Sequence, residues 1–307
     1  MNYCPITGLL GKQTRRMEPH QLVGLYETYL GKALPEKLAQ RYFKQSISEY
    51  TCTESGLRWY SPAEIGDSDF YEFLGSSFDW YYQTPRWDKE QAIRLLPQLG
   101  VRSIMEVGCG DGSFLERVRK CGIATSGVEI NTHAIKRAQS VGLDVRTPDG
   151  FRTRRSAPID ALVMLQVLEH VPDPLRFALH YMELFQARYL VLSMPCYESL
   201  LGMSHDPLSW PPHHVTAWSP RGVQSLAARL GMRVDSIGLE PAPPSALRHF
   251  ASREPQRHLP QLAGILARLA HRRWGEPVCA MALRSLRALP RHWSRCSHTV
   301  MAVLRAS

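Results

Sequence analysis

Residues 104–112 read Ile-Met-Glu-Val-Gly-Cys-Gly-Asp-Gly, a short apolar strand that runs straight into a loop with glycine at alternate positions. No other stretch constrains the fold as sharply. Gly108, Gly110 and Gly112 can take backbone angles closed to other residues, and such a loop presents its N–H groups to whatever lies above it. Ser113 to Lys120 then carry apolar Phe114, Leu115 and Val118 at helical spacing, so the loop opens a helix. Strand, glycine loop and helix in that order make a nucleotide-type cradle. A dinucleotide fingerprint wants its third glycine where Ser113 stands, so NAD is disfavoured at one defining position.

Alternating apolar segments surround this unit. Ser103–Val107, Thr125–Glu129, Asp144–Arg146, Ala161–Leu165, Tyr189–Ser193 and Arg233–Gly238 read as strands separated by helical stretches. That alternation predicts a parallel sheet with helices on both faces. Right-handed crossovers then set Gly108, Glu129 and Gln166 along one sheet edge.

Three stretches carry a family resemblance. The G-x-G-x-G loop with Glu106 two residues ahead resembles motif I of the class I S-adenosylmethionine (SAM) methyltransferases. Glu129 closes the second strand 23 residues after Glu106, where an ionised carboxylate can accept both hydroxyls of a ribose. Residues 158–174, Pro-Ile-Asp-Ala-Leu-Val-Met-Leu-Gln-Val-Leu-Glu-His-Val-Pro-Asp-Pro, resemble the fourth strand and following loop of methyltransferases related to ubiquinone-biosynthesis O-methyltransferases. Residues 210–220, Trp-Pro-Pro-His-His-Val-Thr-Ala-Trp-Ser-Pro, are similar to that group's segment after strand five.

The resemblance covers residues 100–240 and 298–307 and implies an α/β fold. That fold is a Rossmann-like seven-stranded class I methyltransferase core with a small N-terminal module and a helical insertion before the last strand. The chain then divides into a degenerate zinc-ribbon-like module (1–60), an aromatic helical cap (61–99), a SAM-binding core (100–240), a basic helical insertion (241–296) and a final core strand (297–307). In the module, Cys4-Pro-Ile-Thr-Gly8 and Cys52-Thr-Glu-Ser-Gly56 each keep the first cysteine and the glycine of a C-x-x-C-G knuckle. Thr7 and Ser55 replace the second thiolates, and neutral hydroxyls are poor zinc ligands, so no metal is expected. The cap is rich in rings that pack on the core, with Tyr81, Tyr82 or Trp87 edging the active site as the alternative reading.

For this group the resemblance implies SAM as cofactor, held by Glu106, Gly108, Gly110, Gly112, Glu129, Asn131 and Gln166. The glycines line the methionine and ribose, Glu129 takes the ribose, and the Gln166 backbone faces the methionine amino group. Asn131 either assists at the adenosine or caps the next helix. Asp149 either reaches the adenine amine or belongs to an ordinary Pro-Asp-Gly turn. If the acceptor is a hydroxyl, a base receives its proton, and histidine suits that role near neutral pH. His170 and His214 are therefore expected to line the acceptor site, with one of the adjacent His213 and His214 facing inward. The implied reaction is methyl transfer, to oxygen before nitrogen or carbon, on a small-molecule or sugar- or lipid-linked acceptor. A SAM-binding scaffold without turnover is the alternative, and an NAD-dependent oxidoreductase stands third.

Charge is unevenly spread. The chain carries a formal net charge of +9, yet residues 1–240 hold 26 basic and 26 acidic side chains. Residues 241–307 hold eleven arginines, no lysine and only Glu254 and Glu276. The core is thus no general polyanion binder. Residues 256–290 read as basic amphipathic helices that either cap the core or lie on an anionic membrane surface, and rings too sparse for stacking argue against nucleic acid. No apolar run is long enough to span a bilayer, and the first residues lack a basic-then-apolar leader. Seven scattered cysteines suit reduced thiols, so the expected location is cytoplasmic, with a peripheral position at the inner membrane surface if the arginines bind lipid.

Overall fold

The expected alternation of strands and helices is realised around one seven-stranded sheet. The computed structural model describes residues 2–77, 86–152, 158–199, 207–241 and 296–306. The N-terminal part comprises β1 (Lys12–Met17), α1 (Pro19–Leu30), α2 (Glu36–Tyr42), β2 (Ile47–Thr51) and β3 (Arg58–Ser61). Two helices, α3 (Ser68–Ser77) and α4 (Trp87–Gln98), lead into the core. The core runs β4 (Ser103–Val107), α5 (Ser113–Arg119), β5 (Ala124–Val128), α6 (Thr132–Ser140), β6 (Asp144–Arg146), α7 (Pro148–Arg152) and β7 (Ala161–Leu165). It continues with α8 (Pro174–Phe185), β8 (Tyr189–Pro195), β9 (Thr216–Ala217), α9 (Pro220–Arg229), β10 (Met232–Pro241) and β11 (Cys296–Ala306).

The large sheet has the order β10-β11-β8-β7-β4-β5-β6. β4 pairs in parallel with β5 and β7, whereas β11 runs antiparallel to both β8 and β10. Strand β7, Ala-Leu-Val-Met-Leu, is buried along its whole length, as a strand covered on both faces must be. Each fully buried leucine or valine here contributes roughly 1.5–3 kcal/mol. Helix starts follow their sequence signals. The Asp173 carboxylate accepts the Arg176 N–H at 3.1 Å at the head of α8, and the Ser219 hydroxyl accepts the Gly222 N–H at 3.2 Å at the head of α9. In both helices proline occupies the first turn, where its missing N–H costs nothing.

The chain builds β4, β5 and β6 outward in one direction, then returns across β4 to place β7 on its other side. A crevice opens at such a switch point, at the carboxyl ends of the strands. Glu106 and the glycine loop end β4, and Gln166 follows β7, so the topology sets them side by side.

A second, antiparallel sheet has the order β1-β2-β3-β9. Its last strand comes from the core, because Thr216 and Ala217 pair with Trp59 and Arg58. The N-terminal module is thereby stitched to the segment after β8. Within it the four knuckle positions converge: Cys4 Sγ lies 3.6 Å from Ser55 Oγ, and Thr7 Oγ1 lies 3.4 Å from Cys52 Sγ. Burial pushes the Cys52 thiol up, but hydrogen bonds from Ser55 and Thr7 outweigh it and bring it down to about 7.

Tyr81 and Tyr82 and most of the arginine-rich insertion, including the surface-binding reading of residues 256–290, lie outside the described residues. Among the described residues no helix is long and apolar enough to cross a membrane.

Candidate functional site

The glycine loop departs from its sequence expectation in one respect. Four of its five N–H groups bond within the protein. Gly108 and Cys109 donate to the Val128 carbonyl at 2.8 and 3.2 Å, Gly112 donates to the Cys109 carbonyl at 3.1 Å, and Gly110 donates to Glu129 Oε2 at 2.8 Å. What the loop offers a ligand is room. Gly110 has φ +56°, and a Cβ added there would meet nothing within 4 Å.

Glu129 is fixed by those donors. Its Oε1 accepts the N–H groups of Ile130 and Asn131, each at 2.8 Å, while Oε2 takes Gly110. A carboxylate offers about four acceptor sites, so this one keeps lone pairs for further hydroxyls. The Asn131 side chain serves as the N-cap of α6, its Oδ1 accepting from His133 at 2.9 Å and Ala134 at 3.3 Å. Asp149 stands on the short helix α7, so Pro148-Asp149-Gly150 opens a helical turn.

Glu106 sits beneath the loop, 2 % exposed, and its Oε2 has no hydrogen-bond partner. Burial raises its carboxyl to about 8, with Glu129, Asp88 and Asp111 pushing the same way and Lys89 opposing them. Acidic groups thus cluster beside β4. A pyrophosphate would meet the repulsion of those that are ionised and find most of the loop's N–H groups engaged, whereas a cationic ligand is favoured there.

Gln166, the first residue after β7, takes φ +59°, a left-handed conformation uncommon for a side-chain-bearing residue. Its N–H donates to the Ser193 carbonyl at 2.8 Å, and its Nε2 donates to Asp88 Oδ2 at 3.3 Å.

The second part of the site is imidazole-rich. One ligand-type atom from each of His170, His213 and His214 lies within 4.8 Å of the others. The His170 and His213 rings are 4.9 Å apart, and the His213 and His214 rings 4.3 Å. His213 thus joins the pair expected from sequence. His170 Nδ1 donates to the His213 carbonyl at 2.7 Å and also lies 3.1 Å from the Tyr71 hydroxyl. That bond places the ring's lone pair on Nε2. His213 Nδ1 likewise donates to the Leu208 carbonyl at 2.8 Å. Carbonyls that fix ring tautomers in this way at His170 and His213 are what a divalent cation requires of its imidazoles, and the three side chains are close enough together to hold one.

Burial keeps the rings neutral. It lowers His170 to about 4, lowers His213 to about 3 with His170 assisting, and holds His214 well below its ordinary value. His170 is accordingly a weaker base than a solvated histidine. Glu169 lies under the cluster, 1 % exposed, with neither oxygen hydrogen-bonded and with Oε1 3.9 Å from His170 Nε2. Burial raises its carboxyl to about 8. Among the described cap rings, Trp87 packs against the core rather than over the histidines, beside Gly238 of β10. Burial pushes the Cys109 thiol up, which leaves it unreactive.

Known proteins resemble this arrangement at three levels. Residues 82–237, just over half of the chain, match the family described as Methyltransferase domain. The chain is 25% identical over 137 residues to the ubiquinone biosynthesis O-methyltransferase of Paracidovorax citrulli, covering 37% of this chain and 55% of that one. It is 30% identical over 87 residues to the enzyme of the same name from Xylella fastidiosa, covering 26% and 35%. The matched regions thus span about half or less of those relatives. The crystal structure of a SAM-dependent methyltransferase from Archaeoglobus fulgidus shares the fold, with a TM-score of 0.50, 18% identity, and coverage of 76% of this chain and 99% of that one. By family match, by sheet order and by the strand-edge crevice alike, the chain belongs to the methyltransferase-domain family and has its class I, Rossmann-like core.

Proposed function

We propose that the protein transfers a methyl group from SAM to an oxygen of a small hydroxylated acceptor, free or carried on a sugar or lipid. The observation that carries the reading is the acidic, roomy crevice at the end of β4. Glu106, Asp88, Asp111 and Glu129 gather there around a loop most of whose N–H groups are already used. SAM fits that chemistry, since it bears an ammonium and a sulfonium and no phosphate. When bound, it supplies a methyl group on a good leaving group. Glu129, held by three backbone donors, takes the ribose hydroxyls. The open face of Gly110 admits the cofactor, and the unpartnered Glu106 oxygen gives the crevice a buried acceptor for a cationic donor.

His170 and His214 stand on the acceptor side. The lone pair at His170 Nε2 accepts the hydrogen bond of the acceptor's hydroxyl and aligns its oxygen. The hydroxyl proton moves to that atom as the new bond forms and the methyl leaves the sulfonium. His214 lines the same wall. Buried rings around the cluster, Phe70 and Trp210 among them, exclude water.

The test is transfer of labelled methyl from SAM into a panel of phenols, sugars and lipid-linked alcohols. Incorporation into an acceptor hydroxyl, reduced at least tenfold in His170→Ala, supports the reading. Incorporation into nitrogen or carbon alone would overturn the assignment to oxygen.

A further inference from the structure

Asp88 is the second residue of α4 and is 1 % exposed. A buried carboxylate needs several donors, and Asp88 gathers them from three places in the chain. Its Oδ2 accepts from Ser193 Oγ of β8 at 2.7 Å, from the Arg86 guanidinium at 2.9 Å and from Gln166 Nε2 at 3.3 Å. Its Oδ1 accepts the Lys89 N–H at 2.9 Å. Gln166 Nε2 also lies 3.4 Å from Ser193 Oγ. Asp88 therefore joins the cap helix to the ends of two neighbouring core strands.

The residue it grips is the one with the unusual backbone. A non-glycine residue in the left-handed region is strained by the approach of its Cβ to the following carbonyl oxygen. Such a conformation persists where its surroundings over-determine it, and it concentrates at functional positions. At Gln166 the bonds to the Ser193 carbonyl, the Ser193 hydroxyl and Asp88 supply that restraint. Because the Asp88 carboxylate only accepts, it also fixes which end of the Gln166 amide faces it. The Asp88 charge also acts on the buried Glu106, Glu169 and His298.

We infer that Asp88 is a positioning residue for SAM: from the cap helix, its carboxylate locks the left-handed turn at Gln166 that forms one wall of the cofactor crevice. The inference rests on the reading that the chain binds SAM. In this arrangement the cap is a working part of the cofactor site, and the charge beside β7 comes from α4 because residue 166 itself is neutral.

The experiment measures SAM dissociation constants by calorimetry, well below each variant's unfolding temperature, with urea unfolding in parallel. Four variants are compared with the wild type: Asp88→Ala, Asp88→Asn, Gln166→Glu, and the swap Asp88→Asn/Gln166→Glu. Asp88→Ala is expected to weaken SAM at least tenfold, as loss of a charge-assisted contact does. Gln166→Glu is expected to do the same, because two carboxylates then face each other. The swap restores one carboxylate against one amide with the roles exchanged. It should bring the affinity back to within about threefold of wild type, as coupling between contacting residues requires. Wild-type affinity in a folded Asp88→Ala or Asp88→Asn protein that has lost only stability would make the residue purely structural and overturn the inference. A swap no better than its single parents would overturn it too. A folded wild type that does not bind SAM would refute the cofactor reading itself, and that result needs no variant.

Discussion

Alanine at Gly110 and alanine at Gly112 separate the space kept for a ligand from the space the fold needs. Both residues take positive φ, +56° and +79°, so each substitution carries a left-handed penalty of roughly 1–2 kcal/mol. There the likeness ends. A Cβ on Gly110 would meet nothing within 4 Å, so its loss of stability should stop at that penalty. A Cβ on Gly112 would lie 2.5 Å from Leu143 Cδ1 and 3.1 Å from Ala138 Cβ, packed between the loop and α6. Overpacking of that kind adds about 1–3 kcal/mol, for a total of roughly 2–5 kcal/mol. Urea unfolding followed by tryptophan fluorescence gives the two stabilities, and calorimetric titration gives SAM affinity. Gly110→Ala should show the modest fall in midpoint that this penalty sets and lose at least about tenfold in affinity, since its methyl enters the open face of the crevice. Gly112→Ala should show the larger fall in midpoint. Equal destabilisation of the two, or wild-type SAM affinity in Gly110→Ala, would refute the division of labour within the loop.

Three further outcomes follow from the same geometry. Burial holds Glu106 and Glu169 at about 8 against 4.5 for a solvated glutamate, so their contribution to stability is complete below pH 4.5 and is lost as pH rises through 8. His170 at about 4 and His213 at about 3 work in the opposite sense, contributing above pH 6.5 and losing that contribution as pH falls through 4. Unfolding temperature should therefore decline from pH 7 to 9, and Glu106→Gln/Glu169→Gln should flatten that decline; an unchanged slope would count against buried, protonated carboxyls. His170→Ala should abolish turnover while leaving SAM affinity within about threefold, because the ring lies on the acceptor side; a parallel loss of affinity would place it in the cofactor site instead. Thr7→Cys/Ser55→Cys should bind one zinc per chain, measured by metal analysis, since it puts four thiols at the converging knuckle positions; no zinc would show that the knuckles lack tetrahedral spacing.

The core strands are legible in the sequence because a parallel strand covered on both faces must be an almost unbroken apolar run, as Ala161–Leu165 and Tyr189–Met194 are. Glu129 is legible because its distance from the glycine loop is set by one intervening helix. Other features depend on contacts between distant residues and leave no local trace. The pairing of Thr216 with Trp59 adds a core segment to the N-terminal sheet, and nothing in either dipeptide announces it. Asp88 reads as an acid in the first turn of a helix, a common complement to the helix dipole. Only its contacts with Gln166 and Ser193, 78 and 105 residues away, reveal the clamp. The adjacent His213 and His214 do not alternate as they would on a strand. Both of their N–H groups turn back to the Trp210 carbonyl, which brings the two rings together. The N–H groups of Gly108, Cys109 and Gly110 are claimed by the Val128 carbonyl and the Glu129 carboxylate, and that balance is set by the folded strand ends rather than by the glycine pattern.

The most direct test of the account is calorimetric titration of the purified protein with SAM and, separately, with NAD, beside a Glu129→Ala control. Saturable binding of SAM, no binding of NAD, and a loss of SAM affinity of at least about tenfold in the control are the predicted results. A folded protein that binds NAD, or that binds SAM equally well without the Glu129 carboxylate, would contradict the acidic crevice beside β4 as the cofactor site.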